Sequence, residues 1–381
     1  MLMQPSPSPT PKPWSRANRV IARVAGAVGL ALLIGPVSAV AQGPVAGEQG
    51  SEPMAVDRTI MPELCTRTGL SLMQSGLVGG ALDGPAWSRV FLRDPSDGRL
   101  APATTADQVV QLLRSVDVIL LGEVHDNPLH HVLQACLLGA VADLKPALLW
   151  EHIDSEQAEA LAAYLAEPGA NAAGLGTAIA WHERGWPAWA IYQPIAEVAL
   201  REGLAMAGAN APRPLVREVA RQGLGALDPV IVAGLKLDQP MPEPLEAALI
   251  EELVESHCGL MPAQAFATMK HAQRFRDAHM AKAILDAKAE HQRVVLVTGN
   301  GHARDDRGVP FDLRRLHPGL SIASAVLTEG SDVLDTADPV AKPPKTPDGR
   351  VAAEVVIVTP AARRDDPCEE MRRMFERRRA Q

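Results

Sequence analysis

A carboxylate and an imidazole stand two residues apart in the segment Gly122-Glu123-Val124-His125-Asp126-Asn127. Two further clusters have a similar make-up, Glu151-His152 and Gly299-Asn300-Gly301-His302. A carboxylate joined by two or more imidazoles can hold a transition metal or move protons as a general acid and base. Glu123, His125 and His302 are therefore candidate catalytic residues of a hydrolase, and Glu123, His125, Glu151 and His302 a candidate divalent-metal set. No H-E-x-x-H segment occurs, so the helix signature of one class of metalloprotease is absent. The competing, structural reading is that Glu123 and His125 only satisfy free amides at a helix N-terminus.

Phenols are scarce, with Tyr164 and Tyr192 alone. Tyr192 lies in Trp186-Pro187-Ala188-Trp189-Ala190-Ile191-Tyr192-Gln193-Pro194, the most aromatic stretch of an aromatic-poor chain. Aromatics beside convergent polar groups suit a flat apolar ligand, and a tyrosinate oxygen is a good ligand for ferric haem iron. Taken alone, Tyr192 reads more simply as core packing. His130 and His131 are adjacent on a helix and so face different ways, one towards a site and the other towards solvent. His130 with Gln134 reads as an ordinary surface pair. Arg276 shares a helical stripe with Gln273, Asp277 and Met280, and it can pair with a carboxylate or form a surface pair with Asp277.

The three polar clusters matter together because each closes or follows an apolar run: Val116 to Leu121, Ala147 to Trp150, and Val294 to Thr298. Such runs read as buried parallel strands. Asn127 and Pro128 read as N-cap and first position of the helix that follows. Ser155 opens another helix, 187–203 reads as a helix interrupted near Pro194, and 245–256 and 262–288 are helical. Ala205 to Asn210, Ser321 to Leu327 and Val355 to Val358 supply further strands, and 342–350 is a loop or hairpin insertion. The alternation predicts an α/β fold, a mostly parallel central sheet flanked by helices. It forms a single main domain over 101–330, with irregular terminal extensions over 42–100 and 331–381. In open parallel sheets ligands gather beyond the carboxyl ends of the strands, where all three clusters fall.

The N-terminus carries Lys12, Arg16, Arg19 and Arg23, then an apolar run from Val24 to Ile34, then Ala39-Val40-Ala41. This is the pattern of a secretory signal peptide over 1–41, followed by a flexible lead-in over 42–60, and it directs the chain to the periplasm. No cysteine precedes Cys65, so no lipid anchor is expected. The formal charge of −8 argues against nucleic acid as a partner. The Arg-rich stretch 371–380 is interleaved with glutamates and reads as a solvated terminal helix. Cys65, Cys136, Cys258 and Cys368 are far apart, which suits one or two disulfides in an oxidising compartment, with a Cys65–Cys368 staple conceivable.

Leu120-Leu121-Gly122-Glu123-Val124-His125-Asp126-Asn127-Pro128 with His130-His131 resembles the opening motif of the ChaN-like family, within the Tiki and erythromycin-esterase superfamily. The resemblance runs on through Trp186-Pro187 to Tyr192, His257-Cys258-Gly259, Ala272-Gln273 with Arg276-Asp277, and Gly299-Asn300-Gly301-His302 to Gly308-Val309-Pro310. It implies an exported haem-binding protein of iron or haem uptake or trafficking, with tyrosine as iron ligand. Tyr192 is the candidate ligand, Tyr164 its rival, and His131, Arg276 and Asn300 are further haem contacts. It leaves room for a homodimer and for outer-membrane haem uptake components as partners. Relatives elsewhere in the superfamily are metal-dependent proteases or esterases, and this keeps open the hydrolase built on Glu123, His125 and His302.

Overall fold

The computed structural model describes residues 60–70, 88–330 and 343–379. The expected signal peptide and nearly all of the lead-in after it lie outside these residues. The described residues form one eight-stranded sheet in the order β2-β1-β8-β7-β3-β6-β4-β5. Its strands are β1 (Arg89–Arg93), β2 (Leu100–Pro102), β3 (Val118–Glu123), β4 (Ala147–Asp154), β5 (Met206–Asn210), β6 (Val294–Gly299), β7 (Ile322–Gly330) and β8 (Val355–Pro360). From β8 to β5 every neighbouring pair is parallel, while β1 runs antiparallel to both β2 and β8. The apolar runs become strands because each is buried on both faces, as β3, β4, β6 and β8 are along their whole length.

Side chains alternate between two cores. On one face Ile119, Leu121, Trp150 and Val297 pack with the helices Pro128–Val141 and Trp189–Arg201. On the other, Leu120, Leu149 and Leu296 pack with Met280 and Ile284 of the helix Ala263–Lys288. Each such fully buried side chain contributes roughly 1.5–3 kcal/mol of transfer free energy. Asn127 caps the helix Pro128–Val141, accepting from the Leu129 amide, and Pro128 takes the first turn as its sequence predicts.

Several local expectations are corrected. The helix Trp189–Arg201 runs through Pro194 without a break, because Tyr192, Ile195, Ala196 and Ala199 are all buried against the core and outweigh one lost backbone bond. The helix expected to open at Ser155 starts at Ala158, since Asp154 Oδ1 accepts from the Glu156 amide in a turn. The sheet also extends past 101–330, with β1 and β8 pairing along their length. Two disulfides form, Cys65–Cys136 and Cys258–Cys368, in place of a Cys65–Cys368 staple. The helix Ile60–Arg67 packs on Pro128–Val141 and so brings Cys65 to Cys136, with 4.8 Å between their Cα atoms. The terminal Arg-rich stretch is a helix, Pro367–Arg379, with Arg372, Arg373 and Arg377 exposed.

Candidate functional site

The parallel register decides which polar side chains meet. Glu123 is paired with Gly299 across β3 and β6, and His152 stands two residues beyond the Trp150–Val297 pair of β4 and β6. Glu123 and His152 therefore emerge on the face of Leu121 and Trp150. Glu151 emerges on the opposite face, beside Thr298. The carboxyl edge of the sheet thus carries two polar systems, one on each side.

In the first system Glu123 Oε1 lies 2.5 Å from His125 Nδ1 and 3.2 Å from His152 Nε2. Burial pushes the Glu123 carboxyl upward, but the two imidazoles outweigh this and hold it far below the usual carboxylate range. Burial opposes the charged form of His125, and Glu123 overcomes it, so the His125 pKa is raised. Glu123 Oε2 and His152 Nδ1 are buried with no hydrogen-bond partner among the described residues. One ligand atom from each of Glu123, His125 and His152 lies within 4.8 Å of the others, a carboxylate–bis-imidazole set that suits a transition metal. Trp186 closes this side, its ring centroid 5.0 Å from that of His125 and 4.8 Å from that of His152.

Tyr192 and His131 lie beneath the turn that carries His125. Tyr192 is fully buried and its hydroxyl donates to the His125 carbonyl at 3.1 Å. Burial, with Glu123 and Glu151 nearby, raises the phenol well above its ordinary value. His131 Nε2 lies 3.0 Å from the same carbonyl, and its Nδ1 lies 3.1 Å from Gln134 Oε1. The expected surface pair of His130 with Gln134 is corrected, because both histidines are wholly buried. His130 Nδ1 accepts from the Val124 amide and Nε2 meets Thr359 Oγ1 of β8, with burial taking its pKa down to about 3. Tyr164 sits apart, exchanging hydrogen bonds with the Asn171 backbone.

In the second system Glu151 Oε2 accepts from Thr298 Oγ1 and the Gly299 amide at 2.6 and 2.7 Å. Its Oε1 meets Arg276 at 2.5 Å and His302 Nε2 at 3.2 Å. His302 Nδ1 donates to Asp277 at 2.6 Å, and Gln273 lies 3.1 Å from the same nitrogen. Burial pulls His302 down, but Glu151 and Asp277 outweigh it and raise its pKa to about 9. At neutral pH it is thus an imidazolium with both nitrogens engaged. The surface pair between Arg276 and Asp277 does not form, since the two reach different partners.

The sheet edge therefore gathers Glu123, His125, Glu151, His302, Arg276 and Asn300, while Tyr192 and His131 support it from below. Asn300 donates to the Leu327 carbonyl at 2.7 Å, and its Oδ1 is buried without a partner among the described residues. His152 and Asp277 are the contributors that sequence reasoning undervalued. His152 was legible as the neighbour of Glu151, and Asp277 only as one member of a helical stripe. The end of the opening motif is clamped by the C-terminal segment, where Arg364 binds Asp126 through two hydrogen bonds of 2.7 and 2.8 Å and also binds Glu329.

Against known proteins, the profile of the family described as "Haem-binding uptake, Tiki superfamily, ChaN" matches residues 109–313, more than half of the 381-residue chain. Among solved structures, the chain is similar to one of cofacial haem binding to ChaN of Campylobacter jejuni. That similarity has a TM-score of 0.53 and 18% identity, covering 72% of this chain and 98% of the other. An erythromycin esterase matches with a TM-score of 0.38 and 12% identity, over 74% of this chain and 99% of its own. No curated protein matches.

Proposed function

The chain belongs to the ChaN family of haem-binding uptake proteins in the Tiki superfamily, and we propose that it binds haem in the periplasm and serves haem or iron uptake or trafficking. Family membership carries this reading. The two disulfides support it, because such bonds persist in oxidising compartments, as does the signal-like N-terminus. A homodimer and outer-membrane haem uptake components are the partners it entails. At the sheet edge the His125 imidazole is 11% exposed and lies against the Trp186 ring, an apolar face of the kind a flat ligand takes. Titration of the purified protein with hemin is expected to give a saturable Soret change. An unaltered free-hemin spectrum at excess protein would sink the reading.

A second reading, a metal-dependent hydrolase, is favoured by the Glu123–His125–His152 cluster. His152 replaces Glu151 and His302 in the metal set, because those two are already paired with each other and with Arg276 and Asp277. Zinc titration with an ester and peptide panel tests it, and Glu123→Ala should abolish both metal uptake and turnover. Retention of either would dismiss the metal centre.

A further inference from the structure

We propose that Arg213 and Arg217, with Arg184, form an anion subsite beside Trp186 that takes the carboxylate arms of the ligand. In haem these arms are the propionates. The inference rests on the haem-binding reading above and names the part of the ligand that the chain grips.

The geometry begins with the loop Arg184-Gly185-Trp186, which lies along the end of β4. The Trp186 indole N–H donates to the His152 carbonyl at 2.8 Å, and Arg184 meets Asp154 at 3.2 Å. An apolar ring and a guanidinium are thus anchored two strand residues apart, about 7 Å along β4. Gly185, at φ 76°, makes the turn between them. The other two cations arrive from β5. Its Asn210 pairs with Asp154, and the helix Arg213–Gln222 starts three residues later. Arg213 and Arg217 stand one turn apart on that helix and so share a face. Arg184, Trp186, Arg213 and Arg217 are all partly exposed.

The charges at this rim do not balance. Three guanidinium groups gather near two carboxylates, Asp154 and Glu156, and Arg184 already binds both, each at 3.2 Å. Asp154 is buried, and its other oxygen accepts from the Glu156 amide. Among the described residues the side chains of Arg213 and Arg217 make no hydrogen bond or ion pair. Burial lowers the Arg213 pKa, and repulsion by Arg217 and Arg184 lowers it further, against the pull of Asp154 and Glu156. By contrast, Arg276 at the same edge is engaged by Glu151, and Arg364 by Asp126 and Glu329. A guanidinium presents its donors in a planar fork that matches a carboxylate. A flat ligand laid on the outer side of the Trp186 ring brings an acidic tail to the uncommitted forks of Arg213 and Arg217. The ring supplies apolar contact, and the arginines set which edge of the ligand points their way.

The test compares hemin with hemin dimethyl ester, whose carboxylates are masked, by titration of the full chain. The native protein is expected to prefer hemin by at least about tenfold, a preference that weakens with added salt. In the double variant Arg213→Gln, Arg217→Gln the preference should fall to about twofold or less, with the ester bound as before. Without hemin this variant should keep or gain thermal stability, because it removes repulsion and breaks no bond. Equal native affinities for hemin and ester, or a preference retained in the variant, overturns the subsite and leaves haem binding standing. A variant that melts earlier and weakens for both ligands alike shows that the arginines hold the fold, which also overturns the subsite. Absence of a native complex with either ligand overturns both readings.

Discussion

Replacing Gly299 by alanine isolates the contact on which the His125 geometry depends. Gly299 has φ −68° and ψ 155°, a conformation open to any residue, so the added methyl strains no backbone. Its effect is steric. The new carbon would sit 2.9 Å from His125 Cε1 and 3.1 Å from Nε2, against an optimum of roughly 3.5–4.0 Å for carbon contacts. The imidazole must retreat by several tenths of an ångström, yet its Nδ1 is held 2.5 Å from Glu123 and its other side meets Trp186. Overpacking of this kind costs about 1–3 kcal/mol, and reduced freedom of the unfolded chain returns about 0.4–1 kcal/mol. A net loss of about 1–2 kcal/mol is expected in urea denaturation. Ring-nitrogen NMR should show the Nδ1–H signal of His125 shifted as the bond to Glu123 weakens. In a Glu123→Gln background the same substitution should cost less, with a coupling of at least about 0.5 kcal/mol. If Gly299→Ala proves neutral or stabilising and the cycle shows no coupling, the clamped ring is not what the glycine accommodates.

Two further outcomes follow from the network. Because the His302 pKa is raised to about 9, its charged form adds stability that is complete below its unfolded value and lost as pH rises through about 9. Thermal midpoints should therefore fall between pH 7 and 9.5, and this slope should flatten in His302→Gln; equal slopes in both proteins would refute the ion network. Replacing Cys258 and Cys368 together by serine frees a loop spanning 110 residues of sequence, for which chain entropy gives about 4–5 kcal/mol of destabilisation. Denaturant unfolding reads this directly, and a loss under about 1 kcal/mol would show that the C-terminal segment is held by Arg364 and its carboxylates instead.

Much of the fold was legible locally. The continuous apolar runs ending near Leu121, Trp150 and Thr298 could be satisfied only by strands covered on both faces, and Asn127-Pro128 announced the next helix. Short elements escaped, because β1 and β2 draw their stability from pairing and carry no long apolar run. Pro194 misled for a related reason, since the burial of its neighbours overrides its local preference. The two adjacent histidines were misassigned for want of the third dimension. Residue 130 meets β8 from more than two hundred positions away in sequence, and no local pattern encodes that.

The segment Gly122 to Asn127 shows where the division lies. Sequence by itself determined that a polar, ionisable cluster must end a buried strand, because the uninterrupted apolar run Val118 to Leu121 leaves the chain no other place to put it. Tertiary structure alone decided the pairings of that cluster. Side chains alternate across the sheet, so the register of β3, β6 and β4 places Glu123 with His152 and Glu151 with Thr298, on opposite faces. A slip of one residue would exchange the faces and separate every one of these contacts. The same packing buried the tyrosine singled out for iron and left His125 at the surface.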